Sequence, residues 1–213
     1  MKVALLAGGT GLIGSQLLKL LVEDEQYKKV KCLTRNKLPF EHEKISVIQT
    51  DGGNLNDLAD TLQADDVFCC LGTTIKKAKT KEAFKKIDFE YPLRLANLAK
   101  AGGTSQFLLV SSLGADAGSS LFYNQVKGEV EAAIEAVGFR TFHVFRPSLL
   151  LGPRAEERSS EDAAKLFFRL FGFLVPRKYK AIDSAKVANA MRQMAKKDEL
   201  GKFVHESTSL QQF

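Results

Sequence analysis

The chain contains no tryptophan, and only three cysteines and three histidines in 213 residues. Cys69 and Cys70 are neighbours inside one apolar run and Cys32 stands alone in another, so neither a disulfide framework nor a spaced zinc set is available. Reduced, buried thiols are expected. His42, His143 and His205 are scattered without ligand spacing, so no metal is expected. No stretch approaches the roughly 18 uninterrupted apolar residues of a membrane span. Met1, Lys2 and Val3 lead straight into a strand-like run rather than a signal peptide. These absences imply a cytoplasmic protein without a membrane span.

What is present is ordinary globular material, 45% hydrophobic and 26% charged, with no repeats and no linker, which implies one domain over residues 1–213. The net charge of +6 fits a nucleic-acid binder or a holder of anionic cofactor and substrate. Aromatic interleaving for nucleic acid is thin in the lysine-rich run from Lys76 to Lys86, where Phe84 belongs to a helix's own apolar stripe. No nucleic-acid partner is expected. The run itself is either a solvated face or an attractor for a phosphorylated or carboxylated substrate.

Short β-branched runs alternate with longer amphipathic stretches, the pattern of a parallel sheet flanked by helices. Strands are predicted at Lys2 to Ala7, Val30 to Thr34, Ile45 to Gln49, Asp66 to Leu71, Phe107 to Val110 and Thr141 to Phe145, with a short terminal strand at Lys202 to His205. One helix carries an apolar stripe at Phe84, Ile87, Tyr91, Leu95 and Leu98, kinked at Pro92 and stopped by Gly102 and Gly103. Val126, Val130, Ala133, Ile134 and Val137 mark another. Two more are expected near Ser160 to Leu174 and Asp183 to Ala195, the first with an apolar face at Phe167, Leu170, Phe171 and Leu174. The fold class is α/β, a Rossmann-type doubly wound parallel sheet, with residues from about 148 to 200 forming a small substrate-side extension.

Gly8 to Gly14 follows the first strand and opens the first helix, the context a dinucleotide fingerprint requires. Glycines at 8, 11 and 14 let the backbone turn tightly and approach a pyrophosphate, whose charge meets free amides and the positive end of the helix dipole. The spacing is one residue wider than the usual Rossmann triplet. After the second strand comes Thr34, Arg35, Asn36, Lys37, with no acid to bond the ribose hydroxyls of NAD. The Arg35 guanidinium suits a 2′-phosphate, which favours NADP(H). Asp51, after the third strand, either bonds the adenine amino group or caps the next helix.

Tyr123 and Lys127 lie four apart in a predicted helix and share one face. A lysine ammonium favours the ionised phenol, bringing a group that ordinarily titrates near ~10 into range as a general acid or base. Ser111 and Ser112 end the neighbouring strand, where a hydroxyl could hold a substrate carbonyl.

These residues, together with Cys69 to Thr74, Ala99 to Gly103, Gly114 to Asp116, Gln125 to Glu131 and Phe145 to Pro147, resemble the short-chain dehydrogenase/reductase superfamily, and most closely its atypical branch. The resemblance runs from the first strand to about Phe173. It implies that Thr10, Gly11, Leu12 and Ile13 cradle the pyrophosphate, that Arg35 meets the adenosine phosphate, and that Leu71 and Gly72 border the cofactor. It further implies that Tyr123 and Lys127 contact the nicotinamide ribose and perform catalysis, that Ser112 rather than Ser111 faces the substrate, and that Leu150 and Arg158 line the nicotinamide end. Two features depart from the pattern. Asp88 stands where many members have asparagine, and the segment after Pro147 is short for a nucleotide-sugar substrate domain.

The implied activity is NADP(H)-dependent hydride transfer involving a small or medium carbonyl or alcohol substrate. An NADP(H)-sensing regulator and an epimerase-like enzyme are the competing readings, and either a monomer or a homodimer fits.

Overall fold

The computed structural model describes residues 1–152, 176–197 and 199–213. Its frame is a seven-stranded sheet in the order β3-β2-β1-β4-β5-β6-β9. The strands are β1 (Lys2–Ala7), β2 (Tyr27–Thr34), β3 (Ile45–Gln49), β4 (Asp66–Cys69), β5 (Gln106–Val110), β6 (Thr141–Arg146) and β9 (Gly201–Glu206). All neighbours pair in parallel. A separate two-stranded pair joins β7 (Leu150–Leu151) to β8 (Ile182–Asp183).

Parallel strands need crossovers, and helices supply them on both faces, so alternate residues of each strand pack into opposite cores. Ala4 and Leu6 of β1 join one core with Leu17, Leu18 and Leu21 of α1 (Leu12–Glu23). Leu5 and Ala7 join the other, with Leu95 and Ala99 of the helix Tyr91–Ala101 and Ile134 of the helix Phe122–Val137. Doubly covered strands lose the polar side of the alternation, which is why they read as apolar runs. The chain reverses its direction of winding between β1 and β4, and in such sheets ligands bind at the carboxyl ends beside that point.

The differences from the expected elements have local causes. Strand β2 begins at Tyr27, whose hydroxyl donates to the buried Asp66 carboxylate at 2.7 Å, tying the bottom of β2 to β4. Strand β4 ends at Cys69, and Cys70 and Leu71 leave the sheet to line a cleft. A short helix, α2 (Ile75–Ala78), comes first, and the expected helix through Phe84 and Leu98 runs on without a break as α3 (Lys81–Lys85), a π-helical turn at Lys86–Glu90 and α4 (Tyr91–Ala101). The departure from regular helix comes directly before Pro92. Pro92 has no N–H to give to the helical ladder, and the π turn at Lys86–Glu90 is where that ladder changes its spacing.

Helix α5 (Phe122–Val137) ends at Gly138 in the left-handed conformation, with φ 76°. Helix α6 (Ser184–Met194) begins one residue later than expected because Asp183 is its cap, its carboxylate accepting the Ala185 N–H at 2.8 Å. The terminal strand is a full six-residue partner of β6 rather than a short addition, and a short helix, α7 (Ser207–Leu210), follows it. The helix expected near Ser160 to Leu174, its apolar face and Arg158 lie outside the described residues.

Candidate functional site

The turn from β1 into α1 is built by glycine. Gly8 adopts φ 86°, and a Cβ there would lie 2.6 Å from the Cys70 carbonyl oxygen. A Cβ on Gly14 would come within 2.1 Å of the Gly8 carbonyl oxygen. Gly11 donates its N–H to that same oxygen at 2.9 Å and serves as the N-cap of α1, where it offers the first-turn amides no side-chain acceptor. No acidic residue occupies that turn. The free amides and helix dipole are therefore left to meet an anion from outside.

A cleft opens over this turn, walled by the carboxyl ends of four strands. Gly8, Thr10 and Gly11 of the turn line it together with Arg35, Asp51, Leu71 and Gly72. Seven residues assigned to cofactor binding from the sequence are thus together. Arg35 is exposed to solvent at the cleft, and the loop carrying it is fixed from within. Thr34 donates its hydroxyl to the Asn36 carbonyl oxygen at 2.9 Å and accepts the Asn36 N–H at 3.2 Å. Asp51 does not cap the following helix. Its carboxylate accepts the Gly53 N–H at 2.8 Å and so closes a local turn.

Ser112, Tyr123 and Lys127 are not among the residues that line this cleft, nor are the side chains of the other described residues assigned from the sequence. Ile13 and Gly14 are buried in the packing of α1 and, with Leu12, do not line the cleft with their side chains. Leu150 pairs with Ile182 and packs against the core shared by α1 and α6, rather than on the cleft wall. Conversely, Ile87 and Tyr91 line the cleft although their helical spacing placed them in the core, and Gly52 lies beside them. Gly52 takes φ 93°, and a Cβ there would lie 2.7 Å from the Tyr91 ring. The glycine pair at 52 and 53 was the one available signal in the sequence.

At the tip of β5 the serine pair divides its labour. Ser111 is buried, and its hydroxyl donates to the Glu131 carboxylate, which also holds Arg146 through Nε at 3.1 Å. The Ser112 hydroxyl oxygen is buried without a hydrogen-bond partner among the described residues. Tyr123 and Lys127 lie one turn apart on α5, with the Tyr123 ring packed 5.4 Å from Phe84. Lys127 is buried, and its ammonium lies 2.7 Å from Asp88 Oδ1. Burial pushes that ammonium down, but the Asp88 carboxylate beside it outweighs burial and raises it. A Cβ placed on Gly72 would lie 3.3 Å from Asp88 Oδ1 and 3.6 Å from Lys127 Nζ. Gly72 is therefore the thin partition between the cleft and the charged pair.

Among the described residues there is no cluster of acidic, histidine or cysteine side chains that could hold a metal, and no helix is long and apolar enough to cross a membrane.

A parallel doubly wound sheet with a glycine-floored cleft at its winding reversal defines a dinucleotide-binding protein. The chain belongs to the NAD(P)H-binding family, whose model matches residues 8–156. It is 43% identical over 171 residues to protein HTATIP2 of Rattus norvegicus, covering 78% of this chain and 70% of that protein. Over 174 residues it is 34% identical to the mitochondrial protein FMP52 of Debaryomyces hansenii, covering 81% of this chain and 76% of the relative. Among solved structures, the Bordetella bronchiseptica enzyme WbmH in complex with NAD⁺ matches with a TM-score of 0.74 at 18% identity, over 97% of this chain and 76% of that one. A UDP-N-acetylglucosamine 4-epimerase from Methanobrevibacter ruminantium matches with a TM-score of 0.75 at 20% identity, over 96% of this chain and 76% of that one. At those identities the two structures show the shared Rossmann fold alone.

Proposed function

We propose that the protein is an NADP(H)-dependent oxidoreductase acting on a small or medium carbonyl or alcohol substrate through Ser112, Tyr123 and Lys127. The observation that carries this reading is the position of Gly72, which walls the cleft on one side and covers the buried Lys127 ammonium on the other. The residues fit a dinucleotide: a Cβ at Gly8 or Gly14 would close the turn, and the Ser112 hydroxyl lacks a protein partner among the described residues.

Thr10, Gly11, Leu12 and Ile13 would hold the pyrophosphate through backbone amides at the start of α1, and Gly8 and Gly14 would keep that backbone within reach. Arg35 would hold the 2′-phosphate, with Asp51 at the adenine end and Leu71 and Gly72 along the wall. When bound, the cofactor supplies or accepts the hydride. Ser112 would donate a hydrogen bond to the substrate oxygen. Tyr123 would give that oxygen its proton in reduction and remove it in oxidation, and Lys127 would hold the ribose and keep positive charge beside the phenol. Leu150 and Arg158 would belong to the substrate end. Three free cysteines fit a reducing compartment such as the cytoplasm. Because the Debaryomyces relative is named mitochondrial, cell fractionation decides the compartment.

Titration calorimetry with NADPH and NADH, on the wild type and on Arg35→Ala, tests the cofactor half. NADPH should bind more tightly, and the substitution should remove most of that preference. A carbonyl screen with Tyr123→Phe tests the chemistry, since turnover should fall about 10²-fold or more while NADPH affinity holds. A variant that keeps full turnover removes Tyr123 from the reaction. Tight NADPH binding without turnover on any carbonyl favours a cofactor-sensing role.

A further inference from the structure

Asp88 is a buried acid that the Ser-Tyr-Lys scheme leaves unused. It is 1% exposed and lies inside the π turn between α3 and α4. Its Oδ2 accepts the Thr73 N–H at 2.8 Å, fixing the loop that follows β4, while Oδ1 meets Lys127 Nζ at 2.7 Å. Asparagine could accept the same Thr73 N–H and fill the same space. What the carboxylate adds is charge, delivered to an ammonium whose own side chain is only 5% exposed. A buried ammonium without a counter-ion is driven toward its neutral form, or destabilises the fold that keeps it charged.

We propose that Asp88 is a positioning residue acting through Lys127: its carboxylate, in direct contact with the Lys127 ammonium, keeps that group protonated and seated behind Gly72, so that its N–H groups stay available as donors to a bound dinucleotide from neutral into alkaline solution. This rests on the NADP(H)-binding half of the function proposed above. The other groups that act on Lys127 are Tyr123 on α5 and Cys69 on β4. Burial pushes the Cys69 thiol up to about 11, which keeps it neutral over the same range. Nearby, Lys85 and Glu129 pair with each other at 3.5 Å in a more exposed position. Asp88 is thus the carboxylate in direct contact with the ammonium.

The test uses the full chain and NADPH alone, and so does not depend on knowing the substrate. NADPH affinity is measured by calorimetry at about pH 7 and about pH 9 on the wild type, Asp88→Asn and the double variant Asp88→Asn/Lys127→Met. The wild type should bind with nearly the same affinity at both values. Asp88→Asn should bind about tenfold more weakly at the higher value, as the unpaired ammonium loses its proton and with it a donor to the cofactor. The double variant should bind more weakly than wild type but without pH dependence. If Asp88→Asn is as flat as the wild type, Asp88 is only a scaffold for Thr73 and the proposal falls alone. If the wild type binds no NADPH, the cofactor reading falls and takes this proposal with it. If Asp88→Asn fails to fold while the double variant folds, the unpaired charge is the cause and the counter-ion role stands. Failure of both to fold overturns it in favour of a scaffold.

Discussion

The Ser111 hydroxyl is committed to the Glu131 carboxylate, while the adjacent Ser112 hydroxyl is left without a protein partner among the described residues. The division follows from strand geometry, because successive side chains at a strand end point in opposite directions. One serine turns toward α5, where Glu131 already binds Arg146, and Arg146 in turn reaches Glu206 of β9 at 3.1 Å.

The two serines should therefore fail differently. Ser111→Ala leaves a buried carboxylate short of one donor and should cost about 1–2 kcal/mol of stability, with little change in turnover per folded molecule. Ser112→Ala should leave the melting temperature within a degree or two and lower kcat/KM on any carbonyl that the wild type reduces. Parallel melts and rate assays check both, and loss of activity in Ser111→Ala with full activity in Ser112→Ala would reverse the assignment.

Gly14→Ala should abolish NADPH binding and lower stability by about 3 kcal/mol, at the upper end of overpacking costs. The new Cβ would sit 2.1 Å from a backbone oxygen that cannot rotate away, so the turn itself must open. Denaturant unfolding and NADPH titration together check this, and a variant that binds normally would show that the turn is not the cofactor's floor.

Gly128 is a second close approach, one residue past Lys127. A Cβ there would lie 2.1 Å from the Ala117 amide nitrogen, where α5 presses on the loop that follows Ser112. Gly128→Ala should push the two apart, costing about 1–3 kcal/mol and lowering turnover more than NADPH affinity. Equal losses in both would indicate general unfolding instead.

Stability should fall as the pH drops below neutrality because of His143. Burial, then the neighbouring His205 and Lys197, push its imidazole down to about 4. An unfolded chain binds that proton near ~6.5, so between these values the unfolded state holds more protons and stability rises with pH. His205, whose Nε2 lies 3.0 Å from His143 Nδ1, is also lowered by burial and by Lys197, against the opposing Glu199, and acts in the same direction. About 3 kcal/mol should be lost on acidification through that window. His143→Phe, which keeps a ring between Phe203 and Phe145, should flatten the dependence of the urea midpoint on pH between about 7 and 5. An unchanged slope would show that His143 does not titrate there.

The order of strands and helices was readable because each buried parallel strand is an uninterrupted apolar run and each covering helix carries a periodic stripe. The glycine turn was readable for a related reason, since close backbone approach admits only one residue type. Periodicity is silent on what an inward face meets. Ile87 and Tyr91 share the stripe of Phe84 and Leu95, yet they line the cleft while Phe84 and Leu95 are fully buried in cores. The π turn, which shifts the register between α3 and α4, separates the two outcomes.

By itself the sequence determined the sheet, the fingerprint turn, Arg35 at the end of β2 and the one-turn spacing of Tyr123 and Lys127, because each depends on residues near one another in the chain. Only the tertiary structure decided that Ser111 is bound to Glu131, that Leu150 packs against the core and that Asp88 faces Lys127 across 39 positions of sequence. Those relationships arise where separate crossovers converge on the same strand ends. A buried charge finds its partner there through packing, which local pattern does not encode.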